Sequence, residues 1–159
     1  MRNHENEISN LLYSYTERFD LGDQEGAAEL FKHAKVIIGQ DGESVDYQGL
    51  LEIWRSLVII DEKTGTPRTK HTCTNAIIEV DEANNIATAR SYYVVYQQTE
   101  TLPLQPIVAG RYHDKFELVD NQWRFSERDY RMMEMVGDTS QHLRQDNDNS
   151  VRFQENDRG

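Results

Sequence analysis

The second half of the chain limits the possible folds most strongly, because it consists of long β-rich segments joined by short turns. Strands are predicted at residues 72–80, 86–98, 107–119 and 122–135. Asp120-Asn121 predicts a tight hairpin between the last two strands. Since most joins are short, we expect each strand to pair antiparallel with its neighbour in the sequence.

The residues before 69 predict helices instead. Apolar residues recur at helical spacing in the first segment, residues 5–21, at Ile8, Leu11, Leu12, Tyr15 and Phe19. Gly22 suits the left-handed end of this helix, and Asp23 can cap the next one. A short helix through 27–31, a strand at 36–38 and a third helix at 48–60 complete the first half.

This order of elements, helices first and strands second, predicts an α+β fold with helices on one face of an antiparallel sheet. A long curved sheet covered by three N-terminal helices forms a cone that encloses a pocket. We expect one such domain over residues 1–136. Residues 137–159 are polar and predict a C-terminal extension.

Charge and composition narrow the classes of partner. Lys plus Arg is 17 and Asp plus Glu is 28, which gives a formal net charge of −11. This charge argues against a nucleic acid or an anionic membrane as partner, because both require clustered positive charge. No apolar run has the length of a membrane span and no signal peptide is predicted, so we expect a cytoplasmic protein.

The sequence contains none of the patterns that hold common metals or cofactors. Cys73 is the only cysteine, which excludes an internal disulfide and a cysteine zinc site. His4, His33, His113 and His142 are scattered without metal-ligand spacing, so no metal is expected. Glycine-rich nucleotide-binding motifs are also missing, and we expect no cofactor.

Four local patterns occur in the order and spacing found in one known family. They are Leu12–Asp23 followed by Ala27–Phe31, then Tyr47-Gln48-Gly49, then Lys70–Asn75, and finally Gly110–Phe116 followed by Trp123–Arg128. Together they make the chain resemble the SnoaL-like branch of the nuclear transport factor 2-like superfamily. The resemblance implies a cone-shaped α+β barrel, a fold that hosts enzymes, binding proteins and structural subunits.

Within that branch the chain resembles the scytalone dehydratases and hexachlorocyclohexane dehydrochlorinases. Both pair an Asp of the first helix with a His on a strand, and the matching positions are Asp20 and His71. The dehydrochlorinase-like pattern adds an Arg, which falls on Arg128. The scytalone dehydratase pattern has a second pocket His on the following strand, but no His occurs between residues 72 and 112, so that role is vacant.

These three residues also have chemical and structural interpretations of their own. His71 can abstract a proton near neutral pH, or it can simply hydrogen-bond a neighbour. Asp20 falls in the last turn of a helix, where the dipole disfavours a carboxylate, so it either serves a partner such as an imidazolium or is solvated. Arg128 can stabilise a developing anion or leaving group, or form a salt bridge.

Seven further residues are expected to line the pocket: Tyr13, Thr16, Trp54, Cys73, Tyr92, Val108 and Tyr112. Tyrosines give an apolar wall with a polar tip, which suits a ring-bearing ligand. Trp54 and Tyr112 match pocket positions of the dehydrochlorinase-like pattern. The alternative for each is an ordinary core position, which we favour for Tyr15.

Two functions fit these residues and the resemblance. The first is a cofactor-independent lyase or isomerase that acts on a small, apolar, cyclic molecule, with His71 as the base, Asp20 as its partner and Arg128 or a tyrosine at the leaving group or enolate. The second is a non-catalytic binding or assembly module, as in the small subunits of ring-hydroxylating dioxygenases. Either predicts a homodimer or homotrimer, because the second face of the sheet needs cover.

Overall fold

The computed structural model describes residues 1–144 of the 159. In chain order these form α1 His4–Asp20, α2 Gln24–Glu29, β1 Lys35–Ile37, β2 Ser44–Val45, α3 Tyr47–Leu57, β3 Thr69–Asp81, β4 Ile86–Gln97, β5 Gln105–Val119, β6 Gln122–Asp129 and β7 Met133–Val136. The predicted α+β class is confirmed: three helices accompany a curved, unclosed mixed sheet. No helix of residues 1–144 is long and apolar enough to cross a bilayer.

The sheet has the strand order β2-β1-β6-β5-β4-β3, and β7 pairs with β5 outside this path. The predicted antiparallel pairing of consecutive strands is confirmed from β3 to β6. The strand β1 joins the sheet by parallel pairing with β6, and the two-residue strand β2 forms an unpredicted hairpin with it.

The turn between α1 and α2 has the predicted chemistry. Gly22 adopts a φ of +83°, and a Cβ at this position would lie 2.1 Å from the carbonyl oxygen of Gly65. Asp23 caps α2 by accepting a hydrogen bond of 2.8 Å from the backbone N–H of Gly26. This turn fixes where α1 stops, and therefore fixes the position of Asp20 in its last turn.

The third helix ends earlier than predicted, at Leu57 instead of residue 60. Val58 takes an extended conformation with a ψ of 129° and forms an isolated β-bridge with Leu143. The apolar run Val58-Ile59-Ile60 looked like a continuation of the helix in sequence. In the structure it pairs with a distant segment instead.

The predicted fourth strand, residues 122–135, is wrong in one respect: it is divided into β6 and β7. Asp129 accepts hydrogen bonds from the backbone and the guanidinium of Arg131, which closes a tight local turn. The carbonyl oxygen of Met132 then packs against Gly110 of β5, where a Cβ would come within 2.1 Å. Tyr130 lies in the interruption and turns its ring into the fold.

The last described residues, 137–144, lie against the domain, and we call them the C-terminal segment. Ile59 donates a backbone hydrogen bond of 2.8 Å to His142, and Arg144 donates one of 2.8 Å to Leu57. The side chain of Gln97 donates to the carbonyl oxygen of Gln141 at 3.1 Å. Part of the predicted extension therefore packs on α3 and β4, while residues 145–159 lie outside the described residues.

Candidate functional site

A cavity of about 530 Å³ opens between the sheet and the helices. Its aromatic lining is Tyr15, Phe19, Trp54, Tyr93, Tyr112 and Tyr130. Its aliphatic lining is Ile38, Leu50, Ile53, Leu57, Val58, Val95, Val108, Met133 and Leu143. Two histidines, His71 and His142, supply polar atoms to this apolar wall. The volume of this cavity and its mostly apolar lining are typical of sites that bind small molecules.

Asp20 and His71 meet at the wall of this cavity. The Oδ1 atom of Asp20 lies 2.6 Å from Nδ1 of His71, and both side chains are 6% exposed. The Oδ2 atom accepts the backbone N–H of His71 at 2.7 Å, and Oδ1 also accepts the hydroxyl of Thr69 at 2.8 Å. The carboxylate in the last turn of α1 is therefore held by three donors from β3.

This geometry determines which nitrogen of His71 is free. A carboxylate only accepts hydrogen bonds, so Nδ1 carries the proton that it donates to Asp20. The neutral ring then has its lone pair on Nε2. The rings of Phe19 and Tyr15 pack against the imidazole with centroid distances of 5.1 Å and 6.5 Å and limit its rotation. The arrangement can accept a proton at Nε2 and stabilise the imidazolium through Asp20.

Arg128 does not reach the cavity. Its side chain is fully buried and donates two hydrogen bonds to Asp114, at 2.7 Å and 2.9 Å. The guanidinium lies 4.0 Å above the ring of Tyr112 and 4.6 Å from that of Tyr15. The expectation that Arg128 touches a leaving group is therefore corrected, because two aromatic rings separate it from the ligand space.

A group of tyrosines lies between Arg128 and the cavity. Tyr130 donates its hydroxyl to that of Tyr15 at 2.9 Å, and Tyr93 stacks on Tyr112 with a centroid distance of 4.2 Å. Burial raises the pKa of all four hydroxyls, well above the usual value for Tyr15 and Tyr112. These phenols are neutral at physiological pH and can offer hydrogen bonds to a ligand, but not a base.

Of the other predicted pocket residues, Trp54, Val108 and Tyr112 line the cavity. Tyr13 and Tyr92 do not, since their side chains are turned outward and the residues are 48% and 56% exposed. Thr16 and Cys73 are not in the lining either.

The hydroxyl of Thr16 donates to the carbonyl oxygen of Tyr13, whereas the thiol of Cys73 donates to Ser91. Burial raises the pKa of that thiol, which makes it a poor nucleophile at neutral pH.

His142 is a cavity residue that the sequence did not indicate. It is 6% exposed, and its ring centroid lies 6.5 Å from that of His71. Burial, and secondarily the neighbouring His71, lower the pKa of His142 to about 4. A second histidine therefore faces His71, but it comes from the C-terminal segment and not from β4. No local pattern around it could have placed it there.

The rim of the cavity is polar. Asp41 and Glu43 lie in the β1–β2 hairpin, and Arg131, which is paired with Asp129, also lines the cavity. Two acidic groups and a neutralised arginine give no excess of positive charge at the entrance. Within residues 1–144 no group of three or more His, Cys, Asp or Glu residues is arranged to hold a metal ion.

Comparison with known proteins assigns the chain to a family. The model of the SnoaL-like domain matches residues 2–129. No curated protein matches the chain significantly.

Solved structures share the fold across most of the chain. A protein of unknown function from Mycobacterium tuberculosis is 26% identical, with a TM-score of 0.64 over 83% of this chain and 73% of that one. A candidate scytalone dehydratase from Novosphingobium aromaticivorans is 22% identical, with a TM-score of 0.61 over 82% and 84% of the two chains.

The beta subunit of a candidate aromatic-ring-hydroxylating dioxygenase from the same organism is 18% identical, with a TM-score of 0.61 over 86% and 94%. The association domain of the Caenorhabditis elegans kinase CaMKII has a TM-score of 0.63 at 8% identity, over 82% and 95%. The family model covers most of the chain, and the neighbours share its fold. The chain therefore belongs to the SnoaL-like domain family and has the fold of nuclear transport factor 2-like proteins.

Proposed function

We propose that this protein is a cofactor-independent lyase or isomerase that removes a proton from carbon in a small, uncharged, largely apolar cyclic molecule. The observation that carries the proposal is the hydrogen bond of 2.6 Å between Asp20 and His71 at the wall of a cavity of about 530 Å³. A candidate scytalone dehydratase with the same fold adds support from outside the chain.

In the proposed reaction Nε2 of His71 takes a proton from the ligand. The electron pair of the broken C–H bond either forms a C=C bond as a leaving group departs with its own pair, or is delocalised into an enolate. Asp20 stabilises the imidazolium, and its hydrogen bond to Nδ1 fixes the orientation of the ring at the cavity wall. A positioned base of this kind contributes about 10²–10⁴-fold in rate.

The lining defines the class of ligand. Aromatic and aliphatic side chains make up most of the wall, and the acidic groups Asp41 and Glu43 at the rim disfavour anions. Arg128, the buried cation nearest the tyrosines, is neutralised by Asp114. An uncharged ring compound therefore suits the cavity better than a phosphate or a carboxylate.

Proton abstraction can be tested without knowledge of the natural substrate. In D₂O the α-hydrogens of 2-tetralone, a fused bicyclic ketone, exchange for deuterium once a base removes them, and proton NMR follows the loss. We expect the protein to accelerate this exchange and His71→Ala to lower the acceleration at least 100-fold. His33→Ala, which changes an exposed histidine, is the control. Equal exchange with wild type and His71→Ala would refute the proposal.

A binding or assembly module is the second candidate, and one surface favours it. The outer face of the sheet carries exposed apolar side chains, with Tyr92 56%, Tyr96 37% and Ile77 49% exposed. The similar folds of a dioxygenase beta subunit and a kinase association domain belong to subunits of assemblies. We propose that this face joins copies of the chain in a homodimer or homotrimer.

Light scattering during gel filtration tests the association. We expect a mass of two or three chains for wild type and a smaller mass for Tyr92→Glu combined with Tyr96→Glu. Lys32→Glu, a charge change at an exposed residue that follows α2 and is not on the sheet, serves as the control. A single-chain mass for wild type at micromolar concentration contradicts self-association.

A further inference from the structure

His142 is the one cavity histidine that the proposed proton abstraction leaves without a role. It is 6% exposed and lines the same cavity as His71, and its Nδ1 atom has no hydrogen-bond partner within residues 1–144. Nδ1 is sealed from solvent, whereas Nε2 is not among the buried unpaired atoms, so Nε2 is the ring nitrogen that a ligand in the cavity can reach. An apolar side chain of similar size would line the cavity without leaving a buried nitrogen unpaired.

Backbone hydrogen bonds hold the segment that carries this ring against α3 and the residues after it. The carbonyl oxygen of His142 accepts the N–H of Ile59 at 2.8 Å, and its own N–H donates to Thr139 at 2.9 Å. Leu143 forms a β-bridge with Val58, and Arg144 donates to Leu57 at 2.8 Å. The C-terminal segment therefore presents the imidazole on a fixed backbone, as a binding site requires.

The surroundings also fix the protonation state of the ring. Among residues 1–144 no carboxylate is hydrogen-bonded to His142, in contrast to His71, and burial holds the pKa of His142 at about 4, so the ring is neutral at pH 7. A neutral imidazole has one N–H donor and one lone pair. Unpaired N–H groups are rarer in protein interiors than under-satisfied acceptors, which favours a lone pair on the sealed Nδ1 and the proton on Nε2.

We infer that His142 is a ligand-binding residue that donates a hydrogen bond from Nε2 to an oxygen atom of the molecule whose C–H bond faces His71. The inference rests on the proposed function, and it narrows the substrate class to cyclic ketones and related oxygen-bearing rings, as opposed to plain or halogenated hydrocarbons. The ring centroids of the two histidines are 6.5 Å apart. A ligand held against this wall can therefore contact both, with its acidic carbon at one imidazole and its oxygen at the other.

Such an arrangement divides the work between the two histidines. His71 has Asp20 beside it and can become an imidazolium, whereas His142 has no such partner in the described part of the chain and stays neutral. A neutral N–H donor can stabilise the negative charge that develops on a carbonyl oxygen as the α-proton leaves. It does so without competing with His71 for that proton.

The test compares two molecules of the same skeleton, 2-tetralone and its parent hydrocarbon tetralin. Dissociation constants measured by quenching of tryptophan fluorescence give the preference of the cavity for the ketone. We expect wild type to prefer 2-tetralone and His142→Phe to lose roughly 3- to 10-fold of that preference, the value of one net hydrogen bond. The affinity of this variant for tetralin should stay within twofold, whereas a merely structural role would change both affinities.

Two further measurements keep the test decisive. His142→Gln retains an N–H donor and should restore part of the preference, and His33→Phe, the same change at an exposed histidine outside the cavity lining, is the matched control. In wild type labelled with ¹⁵N-histidine, the Nε2 resonance of His142 should shift on addition of 2-tetralone and not of tetralin. If His142→Phe does not fold, His142→Leu replaces it in the same comparison.

The outcomes separate this inference from the proposed function. Wild type that binds the ketone and the hydrocarbon equally, or binds neither, overturns the role of His142, as does a His142→Phe variant with an unchanged preference. A preference that depends on His142, without any acceleration of deuterium exchange, supports the binding role and refutes proton abstraction. Exchange that depends on His71 but not on His142 refutes only the present inference.

Discussion

Asp20 accepts two hydrogen bonds from the same residue, His71, one from the imidazole and one from the backbone N–H. The first sets the tautomer of the ring, and the second ties the end of α1 to β3. The same carboxylate therefore positions the proposed catalytic base and joins the first helix to the sheet.

Replacing Asp20 by Asn should affect both properties. An amide has one acceptor and one donor group, so it cannot accept all three hydrogen bonds that reach the carboxylate, and the ring of His71 loses the support of a negative charge. We expect 2-tetralone exchange to fall at least 100-fold and the free energy of unfolding in urea to fall by about 1–3 kcal/mol. Glu17→Gln, on an exposed position of the same helix, should change neither. Exchange at the wild-type rate would exclude a role for the pair.

Arg128 and Asp114 should behave as a buried ion pair whose halves cannot be removed separately. We expect Arg128→Met to lower the free energy of unfolding by about 3–5 kcal/mol, because it leaves the Asp114 carboxylate buried without a cation. Adding Asp114→Leu should recover more than half of that loss. Urea unfolding of both single variants and the double variant measures the coupling, and additive losses would contradict this view of the pair.

The stability of the fold should depend on the protonation of His142. Its pKa is about 4 in the folded protein and about 6.5 in the unfolded chain, so between these values the unfolded chain binds more protons. The contribution of the neutral His142 ring to the free energy of unfolding is therefore fully present above pH 6.5. It is lost as the pH falls towards 4, by about 3 kcal/mol in total.

Urea unfolding of wild type and His142→Phe at several pH values between 4 and 7 isolates this effect. The groups that face the ring are His71 and Asp20, and both remain in the variant. The difference in stability between the two proteins should thus change by about 3 kcal/mol over the range. A constant difference would mean that His142 titrates alike in both states.

Gly110 should be required for the wall that contains Tyr130. A Cβ at this position would lie 2.1 Å from the carbonyl oxygen of Met132 and close to the hydroxyl of Tyr93. We expect Gly110→Ala to cost about 1–3 kcal/mol of stability and to weaken the binding of 2-tetralone. Ala109→Ser, the neighbouring position on β5, is the control in calorimetric melts and binding titrations. Unchanged binding in Gly110→Ala would show that β7 can shift without effect on the cavity.

The order of elements was predictable because it follows from local patterns. The stripe of Leu12, Tyr15 and Phe19 indicated α1, and the turn chemistry of Gly22 and Asp23 is specific enough to end one helix and begin the next. The pairing of Asp20 with His71 was expected from the resemblance to known enzymes. The helical and strand patterns alone left the partner of Asp20 open.

The errors occurred where local pattern carries no information on orientation. The run Tyr92–Tyr96 is apolar on both strand faces, so its sequence could not show that Tyr93 and Val95 point inward and Tyr92 outward. Tyr13 precedes Tyr15 by two positions and therefore lies on the opposite side of α1. His142 acquires its surroundings only through contacts with residues about 80 positions earlier in the chain, such as Ile59.

The strand β5 pairs with β4 on one edge and with β6 and β7 on the other. This position in the sheet predicts how slowly its backbone amides exchange hydrogen with solvent. Because β5 has a neighbouring strand on each edge, the amides in its middle should exchange only when the whole protein unfolds. The amides of Ile59 and Arg144 are protected only while the C-terminal segment is in place. The difference between these two protection free energies measures how often the wall that carries His142 detaches and admits solvent to the cavity.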